Sequence, residues 1–312
     1  MIGPRARARL GKALRVLFGL AGAAFLVVAF LQTWDRSGGA VLPSWPRFAG
    51  AVLIATAGHA VAFVAWSALL GGARSRRLVT GFYVAQLGKY VPGAIWQAVG
   101  QVGYTVRAGV PAGTAAAAFA VAAVTQPAAA GTVGATLAVT GSGLPPPVRV
   151  AALGALGLCA LLNRRWMTRA LALVGRLRPG MTATVPPQAD ILRAWRWTIL
   201  TAAASGLAFA VLLGGLDPRT SLPAATAAFC LAWTVGYLAL PFPAGIGVRE
   251  AVLIATLGGT VAVPQLIAAS VAVRLVLMVA EVTLIAAGRW LPWAGRASAA
   301  TPPARPADTA PR

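Results

Sequence analysis

The chain has 312 residues, of which 58% are hydrophobic and 11% charged, with a mean hydropathy of +0.76 and a net charge of +21. That composition excludes an ordinary soluble domain, and its longer apolar runs reach the roughly 18 to 20 residues needed to cross a hydrocarbon core of about 30 Å. The basic residues gather beside apolar runs and form no soluble basic domain, so they report membrane orientation and not nucleic-acid binding.

Arg5, Arg7, Arg9, Lys12 and Arg15 precede an apolar run at 16–31. The run is too long for a signal peptide and lacks a small-residue cleavage site, so it reads as an uncleaved first span with the N-terminus cytoplasmic. Residues 1–12 are then a basic cytoplasmic N-terminus, 13–290 an integral membrane domain of the cell membrane, and 291–312 a disordered tail rich in Pro, Ala and Arg. A second span at 48–70 returns the chain to Arg74, Arg76 and Arg77.

Between 80 and 108 the pattern changes. Gln86, Lys89, Gln97, Gln101 and Arg107 interrupt the apolar residues around Pro92-Gly93, which predicts two short or re-entrant helices shielded from lipid. The apolar stretch at 114–139 contains Thr125-Gln126-Pro127 and predicts one kinked span or two short ones. A short span at 148–162 follows, and then Arg164, Arg165, Arg169, Arg176, Arg178, Arg193 and Arg196 mark a cytoplasmic connection. The piece at 170–177 predicts an interfacial helix on anionic lipid. Spans at 197–213 and 223–240, a half helix at 251–257 and a long helix at 264–287 complete the domain. The fold class is all-α, a polytopic bundle of about eight embedded helices with re-entrant or broken helices.

The halves share a pattern: a Pro-Gly or Pro-Ala-Gly break, an apolar half helix, and a turn at Val110-Pro111 or Val263-Pro264 before a long helix. This predicts an internal repeat of the transporter type, with a site between repeats beside discontinuous helices. The alternative is chance recurrence in an Ala/Gly-rich background.

Asp35, Asp190, Asp217 and Asp308 fall in loops or tails, which leaves Glu250 and Glu281 as the carboxylates at membrane depth. A carboxylate there costs about 2.5 to 3.5 kcal/mol on insertion scales and calls for a partner or a purpose. Neighbours on a helix point about 100° apart, so Arg249 is not the natural partner of Glu250. Arg274 and Glu281 are nearly two turns apart and share one inward face of the last long helix. One reading is purely structural: Arg274 with Glu250, or Arg249 with Glu281, as buried pairs that fix helix packing. The functional reading is that Arg249, Arg274, Lys89 and Arg107 offer cations to a phosphate-bearing lipid headgroup while Glu250 and Glu281 orient the arginines. Amides after the breaks at Pro92-Gly93 and Pro243-Ala244-Gly245-Ile246-Gly247 add attraction for an anion, and Gln86, Gln97 and Gln101 extend a polar path. Tyr90, Trp96 and Tyr104 read as interfacial anchors, and His59 as a helix-to-helix hydrogen bonder.

Cys159 and Cys230 lie within apolar runs and with the single His59 do not complete a zinc set, so neither a disulfide framework, a metal nor a cofactor is expected. No Ser-His-Asp set or Walker loop stands in the sequence.

The segment Leu87-Gly88-Lys89-Tyr90-Val91-Pro92-Gly93-Ala94-Ile95-Trp96-Gln97, with Arg107-Ala108-Gly109-Val110-Pro111 after it, resembles the flippase-like transmembrane family typified by the membrane part of lysylphosphatidylglycerol synthase. Pro243-Ala244-Gly245-Ile246-Gly247-Val248-Arg249-Glu250 resembles that family's second hallmark, and Arg274 its later arginine. The resemblance spans about residues 10–290 and implies an eight-helix bundle that moves or handles phospholipids or polyprenyl-linked glycolipids. Gln101 and Gln126 depart from the arginine and glutamate common in the family. The chain ends soon after its last span, so the soluble aminoacyl-transfer domain and synthase activity are not expected. The leading expectation is a non-enzymatic lipid-handling protein whose partners are anionic membrane lipids. A membrane scaffold for a separate glycosyl- or aminoacyl-transferase is the alternative, and an integral transferase using Glu250 or Glu281 as base is a third.

Overall fold

A computed structural model describes residues 43–90, 95–140, 144–176, 184–239 and 247–290. The expected first span at 16–31, the basic segment 1–12, the tail 291–312, and Pro92, Gly93, Pro243 and Gly245 of the helix breaks lie outside these residues. Within them the chain is all-α, with ten α-helices, two 3-10 segments and no strand among the described residues.

Helix α1 (Trp45–Leu69) starts with proline in its first turn, where the missing N–H costs nothing, and gives way to Gly71 and Gly72 at positive φ (67° and 84°). Helix α2 (Arg76–Gln86) begins on Ser75, whose hydroxyl accepts the Leu78 amide at 3.1 Å. A 3-10 turn (Leu87–Tyr90) follows, and α3 (Ile95–Arg107) packs back on α2. The two helices come close because glycine faces the partner: a Cβ on Gly81 would sit 2.6 Å from the Tyr104 Cβ, and one on Gly100 3.3 Å from the Ala85 Cβ. The two short helices expected at 80–108 are therefore present as a packed pair.

Helix α4 (Ala112–Val139) runs unbroken through Pro127. Of the two arrangements open in the sequence, one continuous helix is the one formed. A proline forfeits one backbone bond, whereas splitting the span would strand several in an apolar setting. Helix α5 (Pro146–Leu156) tightens into a 3-10 segment (Gly157–Leu162), and α6 (Arg164–Arg176) leaves it at 73°. Gln188 pins this corner, accepting the Arg164 amide at 2.7 Å and donating to the Leu162 carbonyl at 3.1 Å. Residues 170–176 of the predicted interfacial piece are thus the second half of a longer helix, on which Arg164, Arg165 and Arg169 are exposed, and residue 177 lies outside the described residues.

Helix α7 (Gln188–Leu216) packs against α1, α4, α8 and α10 and forms the centre of the bundle. Helix α8 (Leu222–Leu238) is capped by Ser221, α9 (Val248–Leu257) is the expected half helix, and α10 (Val263–Trp290) is the last long one. Small residues set the close crossings: a Cβ on Gly58 of α1 would lie 2.2 Å from the Ala204 Cβ of α7, and one on Gly206 of α7 would lie 2.8 Å from Thr226 of α8. By length and composition four described helices can cross a membrane, or five if the bent α5–α6 pair is one span.

Candidate functional site

Helix α10 carries Ser270, Arg274 and Glu281 at spacings of four and seven, which place all three on the face turned toward the bundle. Glu281 is fully buried and Arg274 nearly so, as the sequence spacing predicts.

Glu250 stands in the first turn of α9 and ties the start of that helix to α10. Its Oε1 accepts the Ser270 hydroxyl at 2.7 Å and the Arg274 Nη2 at 2.5 Å, and its Oε2 accepts the Gly247 amide at 2.8 Å. Gly247 sits at φ +83°, a conformation that favours glycine and lets the chain enter the helix sharply. The expectation that this helix start attracts an outside anion needs refinement, because Glu250 already occupies the Gly247 amide.

Arg249, the adjacent residue, points elsewhere. Its side chain runs past Gly236 of α8, where a Cβ would come within 2.5 Å of the Arg249 Cγ, and its guanidinium lies 5.6 Å from the Trp233 ring centroid. The Arg249 Nε is buried with no hydrogen-bond partner. Among the described residues it forms no ion pair; the face of the indole lies against its guanidinium, and Glu250 attracts it only from beyond ion-pair distance.

Lys89, on the 3-10 turn, forms an ion pair with Glu281 Oε1 from 192 positions away in sequence. The ammonium also lies 5.1 Å from the Tyr90 ring. Tyr90 thus forms part of this buried cluster, in contrast to the interfacial anchor expected from sequence. His59 completes the group: its Nδ1 lies 3.0 Å from the Ala55 carbonyl and its Nε2 3.8 Å from Glu281 Oε1.

These clusters border a cavity of about 640 Å3, a volume ordinary for small-molecule sites. Trp66, Phe82, Phe119, Phe229, Trp233 and Leu277 supply apolar wall, and His59, Lys89, Arg249 and Arg274 supply charge or a proton acceptor. Gln86, Gln97 and Gln101 also line it. Gln97 donates to Gln86 at 2.8 Å, and the carbonyl oxygen of the buried Gln101 has no partner. Ile95 and Leu238, both on the wall, are more than half exposed.

The structure therefore brings Lys89, Arg249, Glu250, Arg274 and Glu281 to one region, but not Arg107. That residue is exposed in the last turn of α3, over its own Tyr104 ring at 5.7 Å. Of the two structural pairings considered from sequence, Arg274 with Glu250 forms, whereas Glu281 takes Lys89 in place of Arg249. Sequence reasoning passed over Trp233, Gly236 and Ser270, since an aromatic, a glycine and a serine within apolar helices carry no distinguishing signal. No family model matches this chain, and no curated protein matches it significantly.

Proposed function

We propose that this protein is a non-enzymatic, lipid-handling integral membrane protein that binds the anionic headgroup of a phospholipid or polyprenyl-linked lipid. Its two motifs resemble those of the lysylphosphatidylglycerol synthase flippase-like domains, and on this reading a first span at 16–31 brings the bundle to about eight embedded helices. The succession of short helix, break, half helix and proline-started long helix at α2–α4 and again at α8–α10 is read as an internal repeat.

The observation that carries the reading is the unmatched charge of Arg249. Among the described residues three cations border the cavity, Lys89, Arg249 and Arg274, and two carboxylates neutralise the first and last of them. A buried guanidinium with an unused Nε donor costs free energy until an acceptor arrives, and its planar fork matches a phosphate oxygen pair. The aromatic and aliphatic wall beside it favours a ligand with an apolar tail over a free anion.

The test is binding of dioctanoyl phosphatidylglycerol, dioctanoyl phosphatidylcholine and glycerol 3-phosphate to the purified full chain, with native mass spectrometry of co-purified lipids. The anionic lipid is expected to bind and the other two to bind at least about tenfold more weakly. Arg249→Ala is expected to weaken the lipid by about tenfold or more, from loss of a charged hydrogen bond worth about 1.5 to 3 kcal/mol. Equal affinity for both lipids, or a folded Arg249→Ala protein that binds as wild type, overturns the proposal. Equal affinity for glycerol 3-phosphate reassigns the site to a soluble anion.

A further inference from the structure

The cluster of His59, Lys89 and Glu281 joins three separate elements and is not needed to hold an anion at Arg249, yet two of its members, His59 and Lys89, border the same cavity. Its hydrogen bonding fixes where a proton can go. The Ala55 carbonyl only accepts, so His59 Nδ1 is the donor of their 3.0 Å bond and carries the ring proton of the neutral imidazole. Nε2 is then an unprotonated acceptor, and it faces a carboxylate oxygen 3.8 Å away. Two acceptors thus confront each other at 3.8 Å, beyond hydrogen-bond distance, where a proton on Nε2 would turn the contact into an ion pair beside the wholly buried Glu281.

We infer that His59 and Glu281 form a proton-binding site whose occupation releases Lys89 to the cavity, so that an anionic headgroup and a proton bind together. The inference rests on the proposed headgroup reading and supplies its coupling ion. Without the added proton, Glu281 is neutralised by Lys89. One proton from water, taken up on His59 Nε2, makes an imidazolium that donates to Glu281 in place of Lys89. The Lys89 side chain is about 31% exposed, on the cavity side, and is free to turn toward a bound anion. The positive charge available to the ligand then rises from one cation, Arg249, to two. Linkage requires the reverse as well: a bound anion raises the affinity for the proton by the same factor.

The ionisable neighbours support this assignment. Helix α2 contributes Tyr83, whose hydroxyl donates to the carbonyls of His59 and Ala60 at 3.1 Å each and so holds the α1 backbone at the cluster. The 3-10 turn contributes Lys89 and Tyr90, α9 contributes Arg249 and Glu250, and α10 itself contributes Arg274, which is already committed to Glu250. Helix α7 brings only hydroxyls to this level: Asp190 is paired with Arg193 at its far end, and Arg196 is exposed. Among the described residues the other carboxylate of this group is Glu250, which is already held by Arg274, Ser270 and the Gly247 amide, so the charge change is read by Lys89.

The experiment is calorimetric titration of dioctanoyl phosphatidylglycerol into the purified full chain between about pH 5.5 and 8, in buffers of different ionisation heat. Affinity is expected to rise as pH falls, by up to about tenfold per pH unit where one proton is linked, with net proton uptake on binding. Glu281→Gln mimics the discharged site: it is expected to bind at least as tightly as wild type at low pH and to lose the pH dependence. His59→Gln is expected to flatten the pH dependence. Wild-type affinity that is independent of pH, with no proton taken up, overturns this inference and leaves the headgroup reading standing, and it does so without any variant that has to fold. Loss of discrimination between the two dioctanoyl lipids instead overturns the headgroup reading itself.

Discussion

Replacing Glu250 separates stability from ligand affinity, because the two should move in opposite directions. Its carboxylate accepts three hydrogen bonds, from Ser270, Arg274 and the Gly247 amide, at 2.5 to 2.8 Å. The Glu250 and Arg274 side chains are only about 18% and 12% exposed. Removing one partner of a buried pair costs about 3 to 5 kcal/mol, and losing an N-terminal helix cap costs about 1 kcal/mol. The two terms share one side chain and do not add, and the residual exposure reduces the first, so about 3 kcal/mol is expected for Glu250→Ala. Glu250→Gln keeps one carbonyl acceptor and loses the charge, so about 1.5 to 3 kcal/mol is expected, the range for hydrogen bonds to charged groups.

The same substitutions leave Arg274 without its counter-charge. Two cations, Arg249 and Arg274, then face the cavity where one did before, and the affinity for an anionic lipid should increase. Unfolding in a graded denaturing detergent measures the first effect, and titration of dioctanoyl phosphatidylglycerol into folded protein measures the second. A Glu250→Gln protein of wild-type stability would refute the burial argument. A folded one with weaker anion binding would refute the charge argument and make Glu250 a direct ligand contact.

Two further substitutions probe the packing that positions the site. Gly236→Ala puts a methyl group 2.5 Å from the Arg249 Cγ, so the guanidinium should leave the Trp233 face and anionic-lipid affinity should fall severalfold in the same titration, with its charge intact. Gly58→Ala meets the Ala204 Cβ at 2.2 Å; forcing α1 from α7 should cost about 1 to 3 kcal/mol in detergent unfolding, more than the roughly 1 kcal/mol that alanine gains over glycine in a helix.

Much of this architecture is legible where a local rule applies. The spacing of Arg274 and Glu281 predicts a shared inward face because helix periodicity alone fixes it, and the divergence of Arg249 from Glu250 follows from the same geometry. The packed pair α2 and α3 is legible because polar residues recur among apolar ones. The Lys89 to Glu281 pair is not legible, since 192 intervening positions leave partner choice to the tertiary fold. Pro127 leaves the choice between one span and two open in the sequence; its buried position among Ala128, Ala129, Ala130 and Gly131 lets neighbouring helices hold α4 together through a residue that locally disfavours helix.

Two adjacent residues of α9 show how the fold turns a neutral packing device into a site. Had Glu250 faced Arg249, Arg274 would have been the cation left without a carboxylate. Instead the helix turn sends Glu250 to Arg274 and to the Gly247 amide, and sends Arg249 past a glycine onto an indole that attracts the cation yet supplies no negative charge. Because Glu281 is consumed by Lys89, no second carboxylate among the described residues pairs with Arg249. On the proposed reading the scarcity of acidic residues works as a selection rule: each carboxylate silences one cation, and the arginine left over sets the preference for an anionic headgroup.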